Sequence, residues 1–271
     1  MTASHRRVAL AAAATVLLGL LAGCGNATGG SAVAANSVAP PPPSSAQSAP
    51  TGSAAPSTGS ANCDFTATPD QPAPAGHAEG LPPKSADRAG TVTITLHTTA
   101  GDVPIAMPRS AAPCTVASFA FLAGKGFFDK TPCHRLTDYP EPNALFVLQC
   151  GDPTGSGTGG PGYTIPDENP AGLKPAPGGQ NADVYPRGTV AMANTGQPHT
   201  GGSQFFLVYR DSNLPPNYAT FGTVAQAGLA VLDKIAAGGI TPGADPNSGQ
   251  STPNDGKPTT PVVINSATVG S

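Results

Sequence analysis

The 271-residue sequence predicts a mainly β protein, either a closed barrel or a sandwich, with two helices packed on it. Three observations carry that reading. Short apolar segments alternate at period two between Gly- and Pro-rich turns, only two folded stretches have helical spacing, and 34 Gly with 32 Pro leave little room for long regular elements. Each strand needs a partner and helices can cover open ends, but periodicity does not choose between barrel and sandwich. The length suits one sizeable domain with appendages. A net charge of -3 with no basic stripe leaves no electrostatic footprint for nucleic acid.

The chain opens on a targeting segment. His5-Arg6-Arg7 precedes an apolar run from Val8 to Leu21, too short for a membrane-spanning helix and suited to the core of a signal peptide. Leu21-Ala22-Gly23-Cys24 resembles a bacterial lipobox, in which the Cys24 thiol is acylated and becomes the first residue of the mature protein. The competing reading is ordinary cleavage beside small residues with an incidental cysteine. Residues 1–23 are thus expected to be a signal peptide, and the chain to be exported and lipid-anchored on the outer side of the cell membrane. Residues 24–62 are almost wholly Ala, Ser, Gly, Pro, Thr and Asn, with Pro40 to Pro43 consecutive, and cannot bury enough apolar surface to offset the entropy of ordering. They read as a disordered tether. Residues 63–89 stay Pro-rich but carry Cys63, Phe65 and Leu81, so part of this arm has the means to dock on a domain.

Regular structure begins near Gly90. Thr91 to His97 alternates at period two, Gly101-Asp102 is expected at the turn, and Val103 to Met107 returns as the second strand of a hairpin. Ala112-Pro113-Cys114-Thr115 starts a helix with Val116, Phe119, Ala120 and Leu122 on its apolar face and Gly124 and Gly126 at its stop. Strand signals follow at 131–136, 145–150, 189–193, 204–209 and 220–224, then a helix at 229–237 and a last strand at 262–269.

The stretch Gly201 to Val208 organises the rest. Its apolar and aromatic residues read as a buried strand, yet it opens on Ser203 and Gln204, whose polar groups need partners. A second strand, Gly188 to Ala193, ends at Asn194 and is joined to the first by a loop rich in Gly, Thr and Pro. Polar groups at the mouth of a strand suggest a binding site. This pair resembles the substrate groove of the cyclophilins, and the resemblance extends over 90–269. Cys133-His134-Arg135 is similar to that family's Phe-His-Arg element with Cys in place of Phe, Phe146 to Asp152 to its next strand, and Gly157-Thr158-Gly159-Gly160 to its glycine loop. Asp167-Glu168-Asn169 and Phe221-Gly222 fit as well. The resemblance implies an eight-stranded antiparallel β-barrel capped by two helices over 90–271. It also implies peptidyl-prolyl cis/trans isomerisation of Pro-containing polypeptides, without a cofactor.

That reaction changes no covalent bond. Rotation about an amide C–N bond meets a barrier of about 18–20 kcal/mol because conjugation is lost when the peptide twists. The twisted prolyl nitrogen becomes a hydrogen-bond acceptor, so a fixed cation beside it binds the twisted state better than either planar one. The resemblance gives that role to Arg135, whose guanidinium stays charged and projects donors in a rigid fork. By the same carry-over Phe146, Val147, Phe206 and Leu214 would line an apolar pocket for the proline ring, and Gln149, Ala193, Asn194 and Gln204 would hold the peptide. Tyr218 stands where the family often has His. Singly, each Phe or Leu reads as plain core; only the set carries the assignment.

Other constellations carry less. Cys133 and His134 are adjacent on a strand and point to opposite faces, Gly201 to Phe205 lacks the closing Gly of a hydrolase elbow, and Gly155 to Gly162 is not followed by Lys-Ser or Lys-Thr. The five His and five Cys show no ligand spacing, so no metal site is expected. Departures from the family are a longer connection through Asp138 to Asn143, an expanded Pro/Gly-rich segment from Thr241 to Pro258, and Asn213 where many members have Trp, which implies weak cyclosporin binding. A second class of function stays open, a cyclophilin-fold module that holds Pro-containing segments without turnover. With Cys24 lipidated, four cysteines remain in an exported chain and allow three pairings. Antiparallel pairing of 131–136 with 145–150 puts Cys133 and Cys150 at similar distances from the middle of their connection. Alternation sets them beside Arg135 and Phe146, which the family points into one groove. That favours Cys133 with Cys150, leaving Cys63 with Cys114.

Overall fold

The computed structural model describes residues 59–270 apart from 78, 179–180 and 245–248. Cys24, the signal segment and the tether up to residue 58 lie outside the described residues. In chain order the elements are β1 (Ser60–Asn62), β2 (Thr66–Ala67), β3 (Ser85–Asp87), β4 (Thr91–Thr98), β5 (Gly101–Pro108), α1 (Pro113–Gly124), β6 (Thr131–Pro132), β7 (Arg135–Thr137), β8 (Val147–Cys150) and β9 (Tyr163–Thr164). There follow β10 (Lys174–Pro175), β11 (Asp183–Tyr185), β12 (Thr189–Met192), β13 (Phe205–Val208), β14 (Ser212–Leu214), β15 (Thr220–Val224), α2 (Gln226–Ala237), β16 (Ile240–Ala244), β17 (Ser251–Pro258) and β18 (Val263–Val269).

Eleven strands form one antiparallel sheet in the order β16-β17-β7-β8-β13-β12-β15-β5-β4-β18-β6. The sheet returns on itself, because β6 and β7 are separated only by Cys133 and His134, with β6 bonded to β18 and β7 to β8. Counting 131–137 as one bent strand, eight strands make the cylinder: 131–137, β8, β13, β12, β15, β5, β4 and β18. The hairpin β16–β17 is added outside it, on β7. The expected single strand over 131–136 is therefore two, since its halves pair with different neighbours.

Alternation decides which side chains fill the barrel. Ile94, Leu96, Ile105, Met107, Leu148, Val190, Phe205, Leu207, Phe221 and Ile264 point inward and are buried. Helix α1 adds Val116, Phe119 and Leu122, and the Phe119 ring lies 4.7 Å from Phe128, 4.9 Å from Phe205 and 5.1 Å from Phe221. Each such side chain stabilises the fold by roughly 1.5–3 kcal/mol through burial. The start of α1 has no side-chain cap of its own. Glu168 supplies one from a distant loop, accepting from the N–H groups of Cys114 and Thr115 at 2.9 and 2.8 Å.

Several boundaries differ from expectation. The first hairpin turns at Thr99-Ala100, with Thr98 paired to Gly101, because the Thr98 hydroxyl closes the turn on Gly101 O at 2.6 Å. Helix α2 starts at Gln226, three residues before the apolar spacing begins at Leu229. The tether assigned to 24–62 ends early, since Ser60 to Asn62 pairs with β3 and buries Ala61. Cys63 is joined to Cys114, β2 pairs with β9, and Phe65 packs edge-on against Tyr163 at 5.8 Å.

Cys133 is joined to Cys150. The register pairs Arg135 with Gln149, which would set Cys133 opposite Gly151 rather than Cys150. The link is thus diagonal, and it sits where the bent strand changes partners. Nor does Cys150 face the groove: it lies in the barrel interior, fully buried.

Candidate active site

The outward faces of three neighbouring strands make an apolar patch. Val147 on β8, Ala191 on β12 and Phe206 and Val208 on β13 cluster with Tyr185 outside the barrel, while their sequence neighbours fill its interior. Leu145, Ala193, Leu214 and Tyr218 pack around that cluster. Between them lies a cavity of about 270 Å³, walled by Arg135, Leu145, Val147, Phe206, Leu214 and Tyr218, with Gln149, Ala193 and Asn194 at its edge. The Tyr218 ring stands edge-on to Phe206 at 5.5 Å. Below it the Tyr185 hydroxyl donates to Pro215 O at 3.0 Å, and burial pushes its pKa up to about 12.

Nine of the ten groove residues expected from sequence border this cavity or its continuation. The exception is Phe146, whose parity on the strand is opposite to that of Val147 and Gln149. Its ring turns into the core beside Tyr209 at 5.9 Å, with the Arg210 guanidinium 3.8 Å above it, and Leu145 occupies the wall instead. Asn213 side-chain N–H groups reach Glu141 and Pro142, so this residue ties down the long connection after β7.

Arg135 is held by an acceptor on each side. Its Nε donates to Asp255 Oδ1 at 2.8 Å, its Nη2 to Oδ2 at 2.6 Å, and its Nη1 to Gln149 Oε1 at 3.2 Å. Hydrogen bonding to Asp255 raises the guanidinium's pKa above its ordinary value, so the group is permanently charged. Gln149 in turn donates to Gln204 Oε1 at 2.9 Å, and Gln204 donates to the carbonyls of Gly157 and Gly159. Asp255 belongs to the Pro/Gly-rich segment from Thr241 to Pro258, which stands out in the sequence only by its expansion. One signal could have pointed to it: a guanidinium half-buried among apolar strands needs a carboxylate partner.

The glycine loop is anchored from beneath. Burial alone would raise the pKa of Asp152, but hydrogen bonds from the Thr154 hydroxyl and from the N–H groups of Gly159, Thr154 and Gly157 hold its carboxyl below the ordinary range. A Cβ on Gly159 would sit 2.1 Å from Asp152 Oδ1, so only glycine allows this approach. His134 lies under the same loop, and neither ring nitrogen has a hydrogen-bond partner. Burial lowers its pKa, which keeps the imidazole neutral. His134 abuts the loop that Gln204 holds.

A second cavity of about 600 Å³ adjoins the first, sharing Gln149, Ala193 and Asn194 with it. Its walls are the glycine loop, the loop through Thr195 and Thr200, and Thr68, Gln71, Pro72 and Pro74 of the N-terminal arm. The arm's part in this wall had no counterpart in the sequence reading. Among the described residues no group of three or more His, Cys, Asp or Glu is gathered to hold a metal.

Comparison with known proteins adds four findings. A family model described as "Cyclophilin type peptidyl-prolyl cis-trans isomerase/CLD" matches residues 92–269. The "Probable peptidyl-prolyl cis-trans isomerase B" of Mycobacterium leprae is 51% identical over 178 residues, 65% of this chain and 56% of that protein. Its namesake in Mycobacterium tuberculosis is 44% identical over 215 residues, 76% of this chain and 63% of that protein. The chain thus spans 56% to 63% of the length of these two relatives. A cyclophilin type isomerase of Cryptosporidium parvum superposes with a TM-score of 0.49 at 24% identity, covering 67% of this chain and 99% of that one.

Proposed function

The chain belongs to the cyclophilin-type peptidyl-prolyl cis-trans isomerase family, and from that premise we propose that it accelerates X-Pro isomerisation in exported polypeptides. The observation that carries this reading is a permanently charged guanidinium at the wall of an apolar cavity with room for a pyrrolidine ring. The proline ring enters between Phe206, Val147, Leu145 and Leu214. Gln149, Asn194 and the backbone at Ala193 hold the chain beside it, and Arg135 donates to the prolyl nitrogen as conjugation is lost. No proton changes hands, so the rate is expected to be nearly flat across roughly pH 5 to 9. Arg135 stays charged throughout that range, and burial keeps His134 below its ordinary value.

Exchange spectroscopy on an Ala-Pro peptide tests the reading. Arg135→Ala, with folding checked by circular dichroism, should slow exchange on the order of a hundredfold, the effect of losing one well-placed electrostatic donor. Arg135→Lys should restore little, because an ammonium lacks the planar fork. Full activity in a folded Arg135→Ala variant would leave only the reading as a non-catalytic binding module.

Two further elements are part of the proposal. The protein acts outside the cytoplasm on a lipid anchor at Cys24, a reading supported by the order of Arg6-Arg7, the apolar run and Leu21-Ala22-Gly23-Cys24, and by two disulfides, which persist in oxidising compartments. Cys24→Ser should shift it from the membrane to the soluble fraction. Cyclosporin binds weakly, because Asn213 offers neither the apolar area nor the indole donor of a Trp, and titration of the inhibitor checks this.

A further inference from the structure

We infer that Asp255 is a positioning residue, which aims the Arg135 guanidinium at the substrate from a hairpin outside the barrel. The inference rests on the role proposed for Arg135. The carboxylate takes two parallel hydrogen bonds, from Nε at 2.8 Å and Nη2 at 2.6 Å, a bidentate geometry that fixes the plane of the guanidinium as well as its place. Gln149 takes a third from Nη1. A guanidinium has five N–H donors, so with three engaged, two remain, one on each Nη. Those two are what the groove can use.

The hairpin is built to put the carboxylate there. Asp255 pairs with Thr137 and Gly256 with Leu136 on β7, and the Asp138 N–H bonds Asn254 O at 2.9 Å, so the segment is in register with the strand that carries Arg135. Gly256 lets the two arms of the hairpin close: a Cβ there would stand 2.1 Å from Thr241 O and 2.6 Å from Gly243 N. Asp255 is only 22% exposed, against 38% for Arg135, so the pair is shielded on the carboxylate side and open on the groove side.

Charge alone would argue against this residue. A carboxylate beside a catalytic cation weakens the field that the cation exerts on the twisted amide. The gain must therefore lie in direction, since a guanidinium on a flexible side chain samples orientations that deliver no donor to the prolyl nitrogen. Asp255→Ala removes both effects at once, and if orientation dominates, the rate falls although the positive field grows.

The test is a double-mutant cycle read by exchange spectroscopy on an Ala-Pro peptide, with the Arg135 Nε–H signal followed by NMR in the same samples. Asp255→Ala should lower kcat by about tenfold with KM nearly unchanged, as expected for a misaimed donor, and the Nε–H signal should lose its protection. Asp255→Glu, which keeps the carboxylate, should recover part of the rate. In an Arg135→Ala background, Asp255→Ala should cost nothing further. If Asp255→Ala leaves kcat intact, or slows the Arg135→Ala variant by the same factor as the wild type, Asp255 does not act through Arg135 and the inference fails. Should Asp255→Ala not fold, Asp255→Asn, which keeps the shape and loses one acceptor, is judged by the same cycle. If Arg135→Ala alone keeps full activity, the catalytic reading fails, while the Nε–H signal still reports whether Asp255 holds the guanidinium.

Discussion

The barrel strands and the segments added to them are made of different kinds of sequence. In β4, β5, β8, β12 and β13 every second residue is apolar and buried in the core, and on β8, β12 and β13 the pleat sends the other set to the groove. In the arm (β1 to β3) the buried apolar set is small, Ala61, Cys63, Phe65 and Ala86, and the hairpin β16–β17 has almost none; β17 reads Ser-Thr-Pro-Asn-Asp-Gly-Lys-Pro, and only its last residue is buried. What holds them is a small number of strong links: a disulfide to α1 for the arm, and for the hairpin its pairing with β7 and the ion pair at Arg135. Stability in the barrel is spread over many small contributions. In the appendages single residues decide placement.

Three substitutions sharpen that contrast. Phe119→Ala should have the largest effect, a loss of about 3–5 kcal/mol in denaturant unfolding, because the ring fills the centre of an aromatic cluster that cannot collapse onto the gap. Replacing both Cys63 and Cys114 with Ser should cost less, roughly 2–4 kcal/mol, by releasing a loop with a sequence separation of 51. Exchange on a short Ala-Pro peptide should stay within about twofold in that variant, since neither cysteine lines the proline cavity. A collapse of activity there would erase the distinction between barrel and arm.

The smallest effect is a pH dependence from His134. Burial lowers its pKa in the folded state, so below the ordinary value of 6.5 the unfolded chain takes up a proton that the folded one refuses. The contribution is present above 6.5 and fades as the pH falls from there toward the folded value. His134→Gln should therefore flatten the decline in urea midpoint between pH 7 and 5, and an unaltered slope would assign that decline to other groups.

The same contrast explains what could be read in advance. Period two located the barrel strands, and parity on β8 puts Val147 and Gln149 on one face. Parity also excludes Phe146 from that face, so here the pleat overrides what family resemblance implies. Symmetry about the connection suggests the Cys133–Cys150 pair, but the register sets Cys133 opposite Gly151, one residue beyond Cys150, and the link falls where the strand changes partners between Pro132 and Arg135. Asp255 left no periodic trace. Its position depends on how a Pro/Gly-rich segment folds back on a strand more than a hundred residues earlier in the chain, and no local pattern encodes that distance.

Closure of the cylinder leaves one consequence at its margin. Among the described residues, the open border of the large sheet is β16, and its middle position is Pro242, which has no N–H to offer, followed by Gly243. A border of that kind is poorly suited to extending the ladder with the backbone of another chain. What the molecule presents on this side is then side-chain pockets and a few directed donors rather than a ladder to join. The border of the large sheet is thereby protected from being stitched to a neighbouring strand.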